Sequence, residues 1–387
     1  MRPIAMYINK LKAENWKNFR VIEATIEHRL FLIGPNASGK SNFLDIFRFL
    51  RDLCTSGGGL QQAVDVRRGG VSAIRCLAAR SKPDILIEVE VTDEKADIIW
   101  SYRLKFAQDN NRRPIIREEV VKLNNKVLIN RPDFDDELDD IRLTETALEQ
   151  TVANKDFRKM VEFFQSISYQ HLVPQAMRDP QGFSPGKVDN DSFGRDFLQR
   201  VDQAPPRTKD SRLRKILTAM KVAVPQLNDL QVKRDDFGVP HLIGMYEHWR
   251  PNAARQTEAQ FSDGTLRLFG LLWTLFEGDG TILLEEPELS LHPEIVKMLP
   301  AIIEKINRQR KIARQVIIST HADAMLDQKS IGGEEVLRLE PSAEGTILKS
   351  PLQDPQEMAL LKNGLSVRDV VVPKSAPRNI DQLVLSL

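Results

Sequence analysis

Eight residues limit what this chain can become more than any others: Gly34-Pro35-Asn36-Ala37-Ser38-Gly39-Lys40-Ser41. They satisfy G-x-x-x-x-G-K-[ST], and both flanks have the character that pattern needs. Leu30-Phe31-Leu32-Ile33 is a continuous apolar run that reads as a buried strand, with an alternating strand before it at residues 21–26. Phe43, Leu44, Ile46, Phe47 and Leu50 form the apolar stripe of a helix over about residues 41–53. A strand, a glycine-bent loop and a helix in that order belong to an α/β sheet, with the loop at the carboxyl ends of the strands. The glycines let successive backbone N–H groups turn toward phosphate oxygens, and the helix N-terminus adds partial positive charge. Lys40 is placed to reach β- and γ-phosphates, and the Ser41 hydroxyl to ligate Mg²⁺. The competing reading is a glycine-rich turn without a ligand. It would leave both flanks and the Lys-Ser pair as coincidence.

Two further apolar strands end in reactive side chains. Thr281-Ile282-Leu283-Leu284 runs into Glu285-Glu286-Pro287-Glu288. At the carboxyl edge of a parallel sheet, such a strand delivers its last side chains to the ligand crevice. Glu285 is then a candidate to hold Mg²⁺ or its waters, and Glu286 to polarise an attacking water. Paired acids at a strand end are by themselves most often solvated; the phosphate loop changes that balance. His321 follows Val316-Ile317-Ile318-Ser319-Thr320 and is a candidate γ-phosphate contact or sensor, against the plain alternative of a structural histidine. Phe261-Ser262-Asp263-Gly264-Thr265 precedes a long apolar helix at residues 266–276. Ser262 reads as its N-cap, and a capped helix start is also a way to grip phosphate.

The remainder is organised around these motifs. Residues 84–130 alternate with period two (Ile85, Ile87, Val89, Val91; Tyr102, Leu104, Phe106), and Asn124-Asn125 reads as a hairpin turn, so this stretch is an antiparallel meander. Stripes at Leu143, Ala147, Leu148 and Val152, at Met160, Val161, Phe164 and Ile167, and at Leu213, Ile216, Leu217 and Met220 predict helices between about 143 and 224. Residues 176–195, with Pro180, Gly182, Pro185 and Gly186, read as loop. Strand-like runs follow at 230–232 and 242–246, and a helix at 293–310. The expected units are residues 1–142, a mainly helical insertion or lid at 143–250, residues 251–345, and an unpatterned tail at 346–387. Lys and Arg number 55 against 54 Asp and Glu in 387 residues, which excludes a binder held by bulk charge. Cys54 and Cys76 fit no metal or redox spacing and read as reduced core residues. The longest apolar run, residues 268–276, is far short of a bilayer span, and no signal-like segment precedes Lys10 and Lys12. No membrane association and a cytoplasmic, reducing location are expected.

Together these motifs resemble an ABC-type ATPase of the RecF/SMC/OLD group, often catalogued loosely with the AAA ATPases. Residues 34–41 resemble Walker A, and 282–286 Walker B with its catalytic glutamate. Residues 261–265 resemble the signature motif, 290–293 the D-loop and 319–321 the switch-histidine loop. The spacings agree: 24 residues from Ser262 to Glu286, and 35 from Glu286 to His321. The resemblance implies an α/β ABC-type P-loop NTPase with an antiparallel β lobe and a helical insertion. It implies ATP and Mg²⁺ as ligands, Ser41 and Glu285 toward the metal, and Glu286, His321 and Lys40 as catalytic groups. It also implies a head-to-tail homodimer, or a higher homo-oligomer, in which Ser262 and Gly264 of one subunit grip ATP held by another. Asn15-Trp16-Lys17-Asn18-Phe19 approximates the group's start pattern, whose basic residue touches phosphate, so Lys17 is a candidate. Gln170 best resembles the Q-loop glutamine; Gln61 and Gln62 come early. Three positions depart from the pattern. Ala37 replaces the usual Gly, which a loop position with negative φ would tolerate. Glu285 replaces the usual Asp and has a longer arm. Asp263 stands where transporters carry Gly.

The 222 residues between Lys40 and Ser262 lack heptads and are too few for a long coiled coil. After His321 there are 66 residues, too few for a Toprim nuclease, so no built-in nuclease is expected. Arg207, Lys209, Arg212, Arg214 and Lys215, and Arg308, Arg310, Lys311 and Arg314, are candidate DNA contacts, although a charge run on a helix is more often a solvated face. The acidic run at residues 133–140 reads as a mobile loop rather than a metal site. The resemblance implies an ATPase switch for a separately encoded effector, of the kind found in bacterial anti-phage modules. The alternative is a RecF-like repair ATPase that clamps DNA.

Overall fold

Strands that are apolar without interruption need an apolar layer on both faces, and this chain builds one sheet between two cores. The computed structural model describes residues 6–80, 83–179, 191–247 and 254–375. The N-terminal elements are β1 (Met6–Trp16), β2 (Phe19–Thr25), β3 (Arg29–Ile33), α1 (Lys40–Cys54), β4 (Ile85–Asp93), β5 (Ile99–Gln108), β6 (Pro114–Leu123) and β7 (Lys126–Arg131). The middle of the chain forms α2 (Phe134–Leu138), α3 (Arg158–Gln165), β8 (Ser168–Gln170), α4 (Pro174–Arg178), α5 (Phe197–Gln203), α6 (Pro206–Ala223), β9 (Leu227–Arg234), β10 (Pro240–Tyr246) and β11 (Arg255–Thr257). Then come α7 (Asp263–Phe276), β12 (Ile282–Glu285), α8 (Pro293–Arg308), β13 (Val316–Ser319), β14 (Val336–Ser342), β15 (Gly345–Lys349), α9 (Pro355–Lys362) and α10 (Val367–Ser375).

The site-bearing sheet has the order β15-β14-β3-β13-β12-β8, parallel except for β15. Leu30, Leu32, Leu283 and Ile317 face a core shared with α1 and the meander. Their neighbours Phe31, Leu284 and Ile318 face a second core with α7 and α8. The meander is a six-stranded antiparallel sheet, β2-β1-β4-β5-β6-β7. Asn124 and Asn125, at φ 47 and 66, make its expected tight turn. A small sheet, β11-β10-β9, packs with α5 and α6.

Several elements differ from expectation. β1 has no counterpart among the expected strands: a bulge between Ile8 and Lys10 resets its register and breaks its alternation. Residues 143–152 are a short 3₁₀ turn and loop, not a helix, and Val152 is 91% exposed. Side chains take the N–H groups a helix would need: the Glu149 carboxylate accepts from Thr146 and Leu60, and Glu119 from Ala147. The acidic run is an ordered helix, α2, closed by a capping box between Asp133 and Asp136. Buried Asp136 pairs with Arg131 at 2.9 Å, and among the described residues no cluster of metal ligands occurs. β8 lies within the segment expected as a helical insertion yet completes the parallel sheet. The expected tail instead contributes β15, α9 and α10. Pro180, Gly182, Pro185 and Gly186 lie outside the described residues. Cys54 and Cys76 are buried free thiols. No helix among the described residues is long and apolar enough to cross a membrane.

Candidate functional site

Four adjacent strands, β3, β13, β12 and β8, end at one edge and carry residues 34–41, His321, the paired glutamates and Gln170 there. The loop after β3 needs its glycines. A Cβ on Gly34 (φ 152) would lie 2.5 Å from Leu339 O, and one on Gly39 (φ 99) 2.1 Å from Asn18 Nδ2. Ala37 has φ 60, so the expectation of a negative φ there is wrong: the methyl sits in left-handed backbone. The Ser38 carbonyl accepts from Asn18 Nδ2 at 3.0 Å and from Thr346 Oγ1 at 2.8 Å. In a trans peptide the N–H points opposite to the carbonyl, so these bonds aim Gly39 N–H into the loop. α1 begins with no side-chain cap and no acid in its first turn, leaving its N–H groups for an anion. The glycine cradle and the uncapped helix fit a polyphosphate.

Lys40 Nζ donates to Gly34 O at 2.8 Å and Pro35 O at 3.0 Å, and lies 3.4 Å from His321 Nδ1. Burial lowers its pKa to about 8, against the pull of Glu286, Glu288 and Glu285. Ser41 Oγ donates to Glu285 Oε1, and Tyr169 Oη to Glu285 Oε2. A hydroxyl and a carboxylate side by side are hard oxygen donors of the kind Mg²⁺ takes together with phosphate, so the residues fit that ion. Glu286 Oε1 is 2.9 Å from His321 Nε2. Glu286 has φ 44, a strained backbone held by its N–H to Ser319 O (2.9 Å) and by Arg267 on its carbonyl (3.2 Å).

Two residues escaped the sequence reading. Glu288 is buried, and its Oε1 accepts from Thr320 Oγ1 at 2.6 Å and His321 N at 2.9 Å, fixing the histidine's segment. Tyr169, beside Leu283 in register, shares a sheet face with Glu285; Gln170 pairs with Leu284 and lies on the opposite face. The period-two rule applied to β8 and β12 together would have found Tyr169. Gln170 is 7% exposed and its Oε1 has no hydrogen-bond partner among the described residues, whereas Gln61 spends its amide on Pro114 O and Thr144 O. Lys17 does not reach the loop: its ammonium pairs with Asp45 at 2.7 Å, and Asn18 makes the loop contact instead.

Ser262 caps α7 by accepting from Thr265 N at 3.2 Å. Gly264 backs onto residues 290–291, where a Cβ would lie 2.6 Å from Ser290 O. Asp263 pairs with Arg178 at 2.6 Å and accepts from Gln175 at 2.9 Å. This second cluster has no hydrogen bond to residues 34–41 among the described residues. The candidate DNA contacts are largely engaged within the chain. Arg314 is 3% exposed, bonded to Gly280 O and Thr274 O, with burial lowering its pKa to about 9. Arg310 holds Leu275 O, Arg212 lies 5.3 Å over the Trp273 ring and Lys215 5.4 Å over Phe276. A cavity of about 380 Å³ opens between Gly34, Asn36, His321 and Val372, and one of about 870 Å³ between Lys17, Asn18, Asn42, Arg75 and Arg80.

In fold the chain is similar to the SMC head bound to the C-winged helix domain of ScpA: TM-score 0.53, 13% identity, 89% of this chain and 97% of that one covered. It is also similar to the Smc head domain with an extended coiled coil, bound to the C-terminal domain of ScpA, from Pyrococcus furiosus: TM-score 0.51, 13% identity, 92% and 99% covered. The fold is thus the expected α/β ABC-type P-loop ATPase fold. No curated protein sequence matches the chain significantly. One family matches residues 30–327, well over half the chain, and by that match the chain belongs to the family described as AAA domain, putative AbiEii toxin, Type IV TA system.

Proposed function

We propose that this chain binds and hydrolyses ATP and uses the cycle to switch a partner protein. The observation that carries this reading is the meeting of Lys40, Ser41, Glu285, Glu286 and His321 at one sheet edge, with Ser38 Oγ, Gln170 Oε1 and Glu288 Oε2 buried there and unpaired among the described residues. Ser41 and Glu285 would hold Mg²⁺, which neutralises charge along the phosphates. Lys40 leaves the carbonyls of Gly34 and Pro35 for the β- and γ-phosphates. Glu286 orients water and takes its proton as the water oxygen bonds to the γ-phosphorus. The bond to the bridging oxygen breaks and ADP leaves. His321 keeps the Glu286 carboxylate aimed. The work is positioning and electrostatics.

The absence, among the described residues, of a hydrogen bond from Ser262 or Gly264 to residues 34–41 is consistent with a head-to-tail dimer in which they grip a second copy's nucleotide. Hydrolysis then opens the dimer. The family's description, a putative toxin of a type IV TA system, supports a separately encoded partner, and the proposed setting is bacterial anti-phage defence in the cytoplasm. A RecF-like DNA clamp is the weaker reading, because Arg212, Lys215, Arg310 and Arg314 serve the chain's own fold. The test is steady-state ATP turnover with and without duplex DNA, with Glu286→Gln as the blank, plus the mass of that variant with ATP. Turnover indifferent to DNA and an ATP-dependent dimer are expected. DNA-dependent turnover would favour the clamp. Equal turnover in wild type and Glu286→Gln would remove Glu286 from the reaction.

A further inference from the structure

The carboxylate of Glu285 is held from two sides. Ser41 at the start of α1 donates to Oε1, and Tyr169 in the middle of β8 donates to Oε2. The parallel register permits this arrangement: Tyr169 stands opposite Leu283, two residues before Glu285, so both side chains project from the same face. The phenol is 7% exposed, and the Arg48 guanidinium lies 4.2 Å from the centre of its ring. Arg48 is in turn 3.6 Å from Asp45, one α1 turn after Ser41. A glutamate has one more rotatable bond than an aspartate at the same place, so its carboxylate is less well aimed unless something fixes the far oxygen. The phenol fixes Oε2 and leaves Oε1 on the Ser41 side.

We infer that Tyr169 is a positioning residue for the divalent cation: it orients Glu285 so that this longer side chain presents one oxygen, beside the Ser41 hydroxyl, to the metal. This rests on the reading of Glu285 as a metal-side group. Outer groups that orient a ligating carboxylate typically change metal affinity 10- to 100-fold when removed.

The experiment measures binding of a fluorescent ATP analogue to the full chain as Mg²⁺ is titrated from EDTA, with Mn²⁺ binding to the same complex read by electron paramagnetic resonance. Tyr169→Phe removes one oxygen and keeps the ring. Its Mg²⁺ midpoint is expected to rise about tenfold, while its nucleotide affinity in EDTA stays that of wild type. In a Glu285→Asp background the shorter carboxylate no longer reaches the phenol, so adding Tyr169→Phe is expected to change nothing further. Arg48→Met loosens the ring without touching the hydroxyl and is expected to raise the midpoint about threefold, which covers the case of a poorly folded Phe variant. An unchanged midpoint in folded Tyr169→Phe, with Glu285→Ala raising it, overturns the role of Tyr169 alone. Nucleotide binding indifferent to both Mg²⁺ and Glu285→Ala overturns the metal reading beneath it.

Discussion

Two buried charge clusters in this molecule look alike in composition and differ in completeness. In the meander lobe, Arg131 is 5% exposed and meets Glu119 at 3.0 Å and Asp136 at 2.9 Å. Its remaining N–H groups go to Glu145 O and Arg142 O, and Glu119 also accepts from Tyr102 and Ala147. Each polar group there is satisfied by the chain itself. At the sheet edge, among the described residues, Lys40 has backbone carbonyls as acceptors and no carboxylate in contact, while Ser38 Oγ, Gln170 Oε1 and Glu288 Oε2 are buried with no partner. Unpaired buried polar atoms cost free energy, and three of them at the edge that carries the phosphate loop are consistent with a ligand there. Such atoms also occur away from this edge, at Arg195, Asp196 and Arg200, so it is their coincidence with residues 34–41 and the paired glutamates that distinguishes this cluster from the Arg131 network.

The largest expected effect breaks the first cluster. Arg131→Met leaves two carboxylates buried without their cation, and burial already pushes Glu119 up to about 7. Removing one partner of such a network costs about 3–5 kcal/mol, read as a fall in chemical-denaturation stability. Nucleotide affinity of the folded fraction is expected to stay unchanged. A loss of under 1 kcal/mol would show that the network is not what holds α2 and β7 together. The next effect tests the second cluster. Glu288→Ala strips the acceptor from Thr320 Oγ1 and His321 N–H and is expected to cost about 1–3 kcal/mol. It should lower turnover more than nucleotide affinity, because the segment it frees carries His321. Turnover at the wild-type rate would detach Glu288 from the histidine.

The same contrast explains what the sequence made legible. Residues 34–41, β12, β13 and the Asn124-Asn125 turn are local: an apolar run, a glycine or a hairpin dipeptide sets each one from its own neighbours. What stayed hidden depends on partners distant in the chain. Residues 143–152 have a helical stripe, but Glu119 and Glu149 take backbone N–H groups and hold a loop. Lys17 matches a start pattern, yet Asp45 on α1 claims its ammonium. Arg310 and Arg314 read as a basic surface and are instead bonded to carbonyls around the end of α7. Tyr169 becomes visible only once β8 and β12 are paired in register.

Lys40 sharpens the comparison through pH. Its folded pKa, about 8, lies below the ordinary lysine value of 10.5, so between those values the unfolded chain binds more protons. Its contribution to stability therefore rises with pH across that window. In the proposed site phosphate binding needs the ammonium, so it would move the other way. The association constant for ATP is expected to fall about tenfold per pH unit above 8, with proton uptake on binding measured by calorimetry in buffers of different ionisation enthalpy. Lys40→Met should abolish both trends. An affinity flat from pH 7 to 9.5, together with Lys40→Met binding ATP as tightly as wild type, would mean that Lys40 is not the group that meets the phosphates.

Ala37 gives the smallest effect and the finest test of the phosphate loop. It is exposed, so its methyl buries nothing, yet it sits at φ 60, where an L side chain crowds the following carbonyl at a cost of about 1–2 kcal/mol. Ala37→Gly removes that crowding but gives the unfolded chain more freedom, an offset of roughly 0.5–1 kcal/mol. The net expectation is a gain in stability of under about 1 kcal/mol, seen as a small rise in Tm. Nucleotide affinity should change little, because the N–H directions of the loop are set by Gly34, Gly39 and the bonds from Asn18 and Thr346 to Ser38. A fall in Tm would mean that the methyl, by narrowing the loop's conformations before the ligand arrives, contributes more than its strain removes. The site would then share some of the rigidity of the Arg131 cluster.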